Sequence, residues 1–463
     1  MASKGFLSLI RSVTVFLIIS LLMGSCAQVG MPTGGPRDSI PPVLVSAVPK
    51  MFQTNFKSDK ITFTFDEYIN LLDIQKNLLV SPYPKVNPQV NFKLKTVTVK
   101  LKDTLKENTT YAINFGNAVT DNNEGNPLRN FTYVFSTGNM IDSLKMSGQI
   151  ILAETGKKDS TIIALLYRDT DDTTVQNRKP DYIAKSDSGG RFTFTNLSGG
   201  VYKIYALKDN DGGRTYNSKI ETFAFYDSTI TLTDSVQPVT LYAYNEEKDN
   251  RKKTTATKAP PEKKFKYTTS LATSTQGLLD DLTITFNRPI KTFDQQKIIV
   301  TDSLLNKIED VNIKLDSANK IFTIKSKWKE DFDYRLILDK TAVTDTLGEQ
   351  LTKSDTIKFK SKKTADYGSI LIRFANFDLK KHPVLQFVKG EEIFKSIPLT
   401  GSTWTDKLFE PGEYELRILF DNNQNGKWDP GNYKKKLQPE QAITIDKKLN
   451  IRANWDNERD VKL

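Results

Sequence analysis

The sequence repeats itself at long range, and this repeat limits the possible folds more than any single motif does. The segment KITFTFDEYIN from Lys60 is echoed by DLTITFNRPIK from Asp281, and TYAINFGNAVTDNNEGNPL is echoed by DYRLILDKTAVTDTLGEQL. We name these copies modules A and A′. Phe65 and Phe286 are equivalent positions, 221 residues apart. A repeat of this length predicts tandem domains with separate cores.

A different module, which we name B, follows each copy. LSGGVYKIYALKDNDGG from Leu197 matches FEPGEYELRILFDNNQNG from Phe409, with Tyr202 on Tyr414 and an offset of 212 residues. The order of modules is therefore A, B, A′, B′.

Short segments of alternating apolar and polar residues run through all four modules. They are rich in β-branched and aromatic residues, and turn residues separate them. The best helix candidate, YINLLDIQKNLL, is short. We therefore predict an all-β protein of four tandem antiparallel β-sandwich domains after a signal peptide. The predicted strands include residues 60–65, 95–101, 110–115, 131–137, 191–197, 201–207, 282–286, 334–339, 356–361 and 414–420.

The composition is compatible with several ordinary cores. The chain has 463 residues, of which 38% are hydrophobic, and domains of about 100 to 200 residues imply three or four of them. A single cysteine excludes intrachain disulfides, so the hydrophobic cores must stabilise the fold. Residues 1–25 hold two basic and no acidic residues, so the net charge falls from +11 to a modest +9 without them.

Three segments of module A carry a family resemblance. IPPVLVSAVP, FTFDEYI and VTDNNEGNPL resemble the opening strand, the central strand and the closing turn of bacterial Ig-like domains first described in surface-layer proteins. The resemblance implies Ig-like domains at residues 42–138 and 266–362. The second copy departs from the pattern, because no double proline opens it and TDTLGEQL lacks the asparagine after Gly348.

The B modules carry a second resemblance. GGVYKIYAL and PGEYELRIL resemble the G-x-Y strands of prealbumin-like or carboxypeptidase-regulatory-like β-sandwiches, which occur beside Ig modules in lipoproteins. The resemblance implies prealbumin-like β-sandwiches at residues 142–243 and 366–463.

The N-terminus has the features of an export signal. Lys4 and Arg11 precede the apolar run VTVFLIISLL, which is about half as long as a membrane-spanning helix requires. The following MGSC resembles the lipobox of bacterial lipoproteins. The resemblance implies that residues 1–25 are a lipoprotein signal peptide and that Cys26 carries a diacylglycerol and a third acyl chain. The alternative is a signal peptide cut elsewhere and an incidental cysteine.

Residues 26–41 are rich in Gly and Pro and predict a flexible tether. In lipoproteins of bacteria with two membranes, an Asp directly after the cysteine marks retention at the inner membrane, and this chain has Ala27. The resemblance therefore implies a cell-envelope protein held in the outer membrane by palmitate-type acyl chains. Its periplasmic or surface face is left open.

A basic linker, residues 245–265, separates the two halves. From Lys248 to Lys266 there are eight basic and two acidic residues without a strand pattern. Anionic headgroups or nucleic acid could contact such a segment, but stacking aromatics and a nucleic-acid fold signature are missing. We predict a solvated spacer and no nucleic-acid partner. The expected partners are the membrane, through the lipid anchor, and an unknown protein or glycan.

Catalytic motifs are nearly absent from the sequence. His382 is the only histidine, no G-x-S-x-G run is present, and the cysteine is assigned to the lipid. We therefore predict a protein that is not an enzyme and that needs no cofactor beyond its acyl anchor. Acidic residues that meet only in the fold leave a cryptic hydrolase as a remote alternative.

One acidic loop has the spacing of a calcium site. DNNQNGKWDPGN places oxygen side chains at Asp421, Asn423, Asn425 and Asp429, in the order in which an EF-hand-like loop presents them. Position twelve is Asn432, however, where an EF-hand has a glutamate. The corresponding loop in module B, DNDGGRTYN, offers only two acids, at its first and third positions. Asn, Asp and Gly also form hairpin turns without a metal.

Two tryptophans suggest ligand stacking. Trp404 and Trp428 lie in or beside loops of the last module, where an exposed indole can stack on a sugar ring or a peptide. Packing in the core is the alternative. The sequence thus predicts a lipid-anchored, non-catalytic scaffold or binding and adhesion protein. A carbohydrate- or peptide-binding component of a surface uptake system is the main alternative.

Overall fold

The structure is a computed structural model and describes residues 13–14, 37–234, 236–248, 264–271, 273–376 and 378–462. Most of the signal peptide, Cys26, most of the tether and most of the basic linker lie outside these ranges. The lipidation of Cys26 therefore stays a prediction from the sequence. Within the described ranges, no helix has the length and apolar character needed to cross a membrane.

The described residues form an all-β protein, which confirms the predicted fold class. Each of the ten predicted segments falls on a strand, and the strands at Lys60–Phe65, Arg191–Leu197 and Leu282–Phe286 have the predicted bounds. The first of these shows why the pattern is reliable. Its apolar Ile61 and Phe63 are fully buried and alternate with lysine and threonine, because successive side chains of a strand point to opposite faces.

The chain divides into two compact units, with residues up to Asn139 in the first, except 81–83, and the remainder in the second. In module A, the Phe63 ring packs edge-on against Phe115, Phe131 and Tyr133, with centroid distances of 5.6, 5.2 and 5.2 Å. The sheet orders are β1-β2-β6-β5, β3-β8 and β4-β7-β9, where the elements are β1 Leu44–Val48, β2 Lys60–Phe65, β3 Ile69–Leu71, helix α1 Ile74–Asn77, β4 Leu79–Ser81, β5 Gln89–Lys93, β6 Thr96–Lys100, β7 Thr110–Asn114, β8 Val119–Asp121 and β9 Thr132–Ser136.

Module B opens the second unit and forms two sheets that enclose one hydrophobic cluster. Their orders are β13-β10-β17 and β12-β11-β14-β15, and β16 also pairs with β14. The elements are β10 Leu144–Leu152, β11 Ile163–Tyr167, helix α2 Thr174–Asn177, β12 Tyr182–Lys185, β13 Arg191–Leu197, β14 Gly200–Leu207, β15 Phe223–Phe225, β16 Ile230–Leu232 and β17 Val239–Ala243.

Module A′ has sheet orders β18-β20-β24-β23, β19-β27-β25-β22 and β21-β26. Its elements are β18 Tyr267–Thr269, β19 Thr275–Gln276, β20 Leu282–Phe286, β21 Ile290–Phe293, a 3₁₀ turn at Gln295–Lys297, β22 Ile298–Asp302, β23 Val311–Leu315, β24 Ile321–Ser326, β25 Asp333–Leu338, β26 Val343–Asp345 and β27 Asp355–Ser361. The small sheet β21-β26 repeats the sheet β3-β8 of module A, as the sequence repeat predicts.

Module B′ has sheet orders β31-β28-β34 and β30-β29-β32-β33. Its elements are 3₁₀ turns at Thr364–Asp366 and Leu379–Lys381, and the strands β28 Gly368–Ala375, β29 Pro383–Lys389, β30 Glu392–Pro398, β31 Thr403–Phe409, β32 Gly412–Phe420, β33 Gln441–Ile451 and β34 Asp456–Lys462. Each of the four modules thus surrounds its own hydrophobic cluster. The predicted domain boundaries themselves stay a prediction.

Among the described strands, three pairs are parallel within sheets that are otherwise antiparallel. These pairs are β10 with β17, β19 with β27, and β28 with β34. In each case a strand from the start of a module lies beside its last strand. Parallel neighbours need a long crossover, and the rest of the module supplies it. Side chains alternate in the same way in both pairings, so the sequence pattern cannot distinguish them.

The repeated VTD run of the A modules ends in a buried aspartate that organises a turn. In module A, Asp121 is 2% exposed and accepts hydrogen bonds from the backbone N–H groups of Glu124, Gly125 and Asn126 at 2.6, 2.8 and 2.8 Å. Burial alone would raise the pKa of Asp121, but these donors outweigh it and the pKa is lowered.

The second copy of this turn uses a different third donor. Asp345 accepts from the N–H groups of Leu347 and Glu349 at 2.9 and 2.7 Å, and Arg288 Nη1 donates to its Oδ2 at 2.8 Å. Burial acts to raise the pKa of Asp345, and these donors together lower it. The side chain of Arg288 therefore donates to the aspartate of A′ the hydrogen bond that a backbone N–H donates in A.

Candidate functional site

The loop after β32 is organised by the carboxylate of Asp421, the first predicted calcium ligand. This side chain is buried, and its Oδ2 and Oδ1 accept the backbone N–H groups of Gly426 and Asn425 at 2.6 and 3.2 Å. Gly426 has a φ of 77°, a conformation that glycine adopts without strain. Asp421 therefore fixes the turn in which the other predicted ligands stand.

Asp429 is the point on which the loop converges. Its Oδ2 accepts the side-chain N–H groups of Asn423 and Asn425, each at 2.6 Å. The two amide oxygens accept the backbone N–H groups of Asn425 and Lys427 at 3.1 and 2.7 Å. The structure thus brings all four predicted residues into one network.

Glu440, which the sequence analysis missed, holds this loop from the side of β33. It is 5% exposed, and its Oε1 and Oε2 accept the backbone N–H groups of Asn422 and Asp429 at 2.7 and 3.1 Å. Burial raises the pKa of Glu440, Asp421 and Asp429 raise it further, and the two backbone donors oppose them. A residue-by-residue comparison of the B modules could have found it, because a glutamate precedes the corresponding strand in each.

The corresponding loop of module B also keeps its predicted acids together. Asp211 accepts the backbone N–H of Gly213 at 2.7 Å and the side-chain N–H of Asn217 at 3.0 Å. Asp209 accepts the backbone N–H of Arg214 at 3.2 Å. The two loops therefore have related hydrogen bonding, although their sequences differ after the first acid.

Both tryptophans proposed for ligand stacking are half-buried and engaged within module B′. Trp404 is the second residue of β31, with its ring 5.3 Å from that of Phe387. Trp428 donates its indole N–H to the backbone oxygen of Glu440 at 2.7 Å. These contacts favour the packing role. The most exposed tryptophan is Trp455, at 60%.

Further along the same loop, Tyr433 inserts into an aromatic cluster of module B. Its ring lies 5.9, 5.1 and 5.2 Å from those of Tyr205, Phe223 and Phe225, and the side chain is 4% exposed. Its hydroxyl donates to the backbone oxygen of Asp172 at 2.6 Å. A fully buried aromatic ring with a satisfied hydroxyl is a strong anchor.

Hydrogen bonds from two backbone N–H groups of B′ extend this contact. The N–H of Ala442 donates to the backbone oxygen of Ala153 at 2.7 Å. The N–H of Tyr433 donates to Oε1 of Glu246, a residue at the start of the basic linker, at 2.9 Å. Modules B and B′ therefore pack directly on each other, although all of A′ lies between them in the sequence.

A solved-structure comparison gives only weak likenesses. The MG0-NIE-MG1 region of alpha-2-macroglobulin from Escherichia coli is 13% identical, with 40% of this chain and 72% of that chain covered and a TM-score of 0.20. The N-terminal part of the bacterial S-layer protein SbsC is 18% identical, with 36% and 40% covered and a TM-score of 0.16. The major pilin subunit of Bacillus cereus is 11% identical, with 69% and 99% covered and a TM-score of 0.16. At these values the likenesses carry no argument about function.

Comparison with sequence families is more specific. The family described as bacterial Ig-like domain matches residues 38–137, a range close to the first predicted Ig-like domain and less than half of the chain. A search of curated proteins found no match. Residues 38–137 are therefore similar to bacterial Ig-like domains, which confirms the resemblance drawn from the segments of module A.

Proposed function

We propose that the mature protein is a lipid-anchored cell-envelope protein whose sandwiches form a non-catalytic scaffold that presents loops for binding or adhesion. The observation that carries the proposal is the position of residues 38–137, which match the bacterial Ig-like domain family, soon after the lipobox-like MGSC and a short segment rich in Gly and Pro. An acyl chain contributes about 0.8 kcal/mol per buried methylene, so three chains hold a folded protein durably on a bilayer.

The chemistry of the buried acids supports a structural role. Asp121, Asp345 and Asp421 each direct their oxygens at N–H donors of their own turn or at a neighbouring arginine. Each of these acids helps to shape the loop in which it lies. His382, the only histidine in the chain, lies with its Nε2 3.4 Å from the amide nitrogen of Gln424.

The contact between B and B′ supports the scaffold role. Tyr433 and the hydrogen bond from Ala442 to Ala153 join two sandwiches that the basic linker and all of A′ separate in the sequence. Contacts of this kind limit the relative motion of two sandwiches, which suits a spacer or an adhesive stalk. The loop that makes this contact begins with the predicted calcium ligands.

Calcium binding by this loop is part of the same proposal. Asp421, Asn423, Asn425 and Asp429 offer carboxylate and amide oxygens, the ligands that calcium prefers, and the carboxyl group of Glu440 lies beside them. The affinity expected for an extracellular module of this kind is about 10⁻⁴ to 10⁻³ M.

Fractionation of cells that express Cys26→Ala tests the anchor. We expect the wild-type protein in the membrane fraction and the variant in the soluble fraction. Ser25→Ala keeps a small residue before the cysteine and serves as the matched control, so it should stay with the membrane. Membrane retention of Cys26→Ala equal to that of the wild type would contradict lipid anchoring. Proteinase treatment of intact cells then determines which face carries the sandwiches.

A further inference from the structure

Glu221 of module B occupies the same structural position as Glu440 of module B′. In β14 and β15, Leu207 pairs with Phe223, and in β32 and β33, Leu419 pairs with Ala442. Each glutamate stands two residues before the paired residue of the second strand. Both are 5% exposed. The two loops are therefore closed by a buried acid from the same place in the fold.

In module B this acid completes a cluster of three carboxylates. Asp209, Asp211 and Glu221 each place one oxygen within 4.8 Å of the others. The Asp209 side chain is 2% exposed, while Asp211 lies at the surface. The sequence shows only the first two acids, because Glu221 lies ten residues beyond Asp211 and outside the loop motif.

The oxygen Oε2 of Glu221 is buried and has no hydrogen-bond partner among the described residues. Leaving a buried carboxylate oxygen without a partner costs free energy, so an oxygen that lacks a donor within the protein is a candidate for contact with water or an ion. Glu440 is different, because both of its oxygens accept backbone N–H groups. The glutamate with an oxygen free of hydrogen-bond donors is therefore the one in module B.

The cluster has more negative than positive charge. Arg214 Nη1 lies 2.8 Å from Asp209 Oδ2, although it is not oriented to donate a hydrogen bond to that oxygen. One guanidinium thus faces three carboxylates. Burial raises the pKa of Glu221, and the charges of Asp211 and Asp209 raise it further, against the backbone N–H groups of Asn217 and Ser218.

We propose that Asp209, Asp211 and Glu221 form a binding site for a hard divalent cation of the calcium class. All three ligands are carboxylate oxygens, and calcium takes six to eight oxygens in a flexible arrangement. A site without nitrogen or sulfur ligands is a poor match for zinc or copper. Arg214 competes with the cation for Asp209, so the guanidinium limits the affinity of the site.

The site adjoins the contact between B and B′. Tyr216, in the loop between Asp211 and Glu221, stacks on Phe223 with a centroid distance of 4.0 Å, and both rings pack against Tyr433. A cation that orders this loop therefore stabilises the surface on which B′ docks.

Calcium titration by isothermal calorimetry tests the site in the full mature chain made soluble by Cys26→Ala. The titration is made in an Asp429→Asn background, which removes a predicted calcium ligand from the loop of B′. Failure of that loop to bind calcium and failure of this site to bind calcium are therefore distinguishable. We expect one calcium to bind in this background. Glu221→Gln should weaken binding by about tenfold or more, and Arg214→Gln should strengthen it. Asp234→Asn, an exposed acid of the same module, should leave it unchanged.

Asp211→Asn provides a second variant, because its exposed side chain can be changed with little effect on folding. It should weaken calcium binding with an unchanged far-UV circular dichroism spectrum. Absence of calcium binding in the Asp429→Asn background would overturn the proposal. So would equal affinity of that background with and without Glu221→Gln.

Discussion

The hydroxyl of Tyr433 lies 3.1 Å from the hydroxyl of Tyr205, a residue 228 positions earlier in the chain. This pair is the centre of the contact that joins B to B′. Both side chains are almost fully buried, so the contact depends on aromatic packing and on hydrogen bonds that are shielded from water.

Truncation of Tyr433 should therefore destabilise the second unit. We expect Tyr433→Ala to lower the free energy of unfolding by about 3 to 5 kcal/mol, as for other buried aromatics. Tyr433→Phe, which leaves the oxygen of Asp172 without its donor, should cost about 1 to 2 kcal/mol. Urea denaturation of the soluble chain measures both. Tyr226→Ala, at a 38% exposed position, is the control. Identical urea midpoints for Tyr433→Ala and wild type would show that the contact contributes nothing.

Asp121 should make module A sensitive to acid. Its folded pKa lies below the ordinary value of 3.8, so its contribution to stability is complete above that value and is lost as the pH falls through the folded pKa. We expect Asp121→Asn to be less stable than wild type at about pH 5 and to lose less stability between about pH 5 and about pH 2. Urea midpoints at the two pH values test this. The exposed Asp59→Asn is the control, and a parallel acid loss in Asp121→Asn and wild type would refute the assignment.

Gly148 should be required by the parallel pair of β10 and β17. A Cβ atom at this position would lie 2.3 Å from the backbone oxygen of Val239 and 2.5 Å from Cζ of Phe192. Gly148→Ala should therefore cost about 1 to 3 kcal/mol, the usual cost of overpacking. Gly401→Ala, where no atom lies within 4 Å of the added Cβ, is the matched control. Equal thermal midpoints for the two variants would mean that β10 and β17 accommodate the added Cβ without loss of stability.

Calcium should stabilise the chain through the loop of B′. At a concentration about ten times Kd, a bound ligand adds about 1.4 kcal/mol to the free energy of unfolding. We expect calcium to raise Tm in wild type, and Asp429→Asn to remove the part of the increase that is due to this loop. Glu391→Gln, an exposed acid of the same module, should keep the full increase. Scanning calorimetry in calcium and in chelator makes the comparison, and an undiminished increase in Asp429→Asn would exclude the loop.

Strands with one buried face were predictable from the sequence because each of them is amphipathic on its own. Lys60–Phe65 shows alternation within six residues, and no distant residue is needed to interpret it. The parallel pairing of Gly148 with Val239 was not predictable in this way, since it joins the two ends of a module. Trp404 illustrates the same limit, because its half-buried place depends on the position of Phe387 on another strand.

The candidate sites were predicted only where their ligands are close in sequence. Asp421 and Asp429 belong to one motif, and the structure brings them into one network. Glu221 and Glu440 lie just before the strand that follows each loop, so their role depends on the register of a hairpin. The sequence also did not indicate the contact made by Tyr433, because its partners lie in another module.

Because Tyr433 contacts module B, A′, residues 266–362, lies in a stretch of chain whose two ends are joined by the contact between B and B′. The chain leaves module B near Glu246 and returns to it at Tyr433. A pulling force between the tether and the end of β34 would pass directly from B to B′ and bypass A′. The A′ module would carry load only after the aromatic contact has separated, and its extension would then lengthen the chain between B and B′.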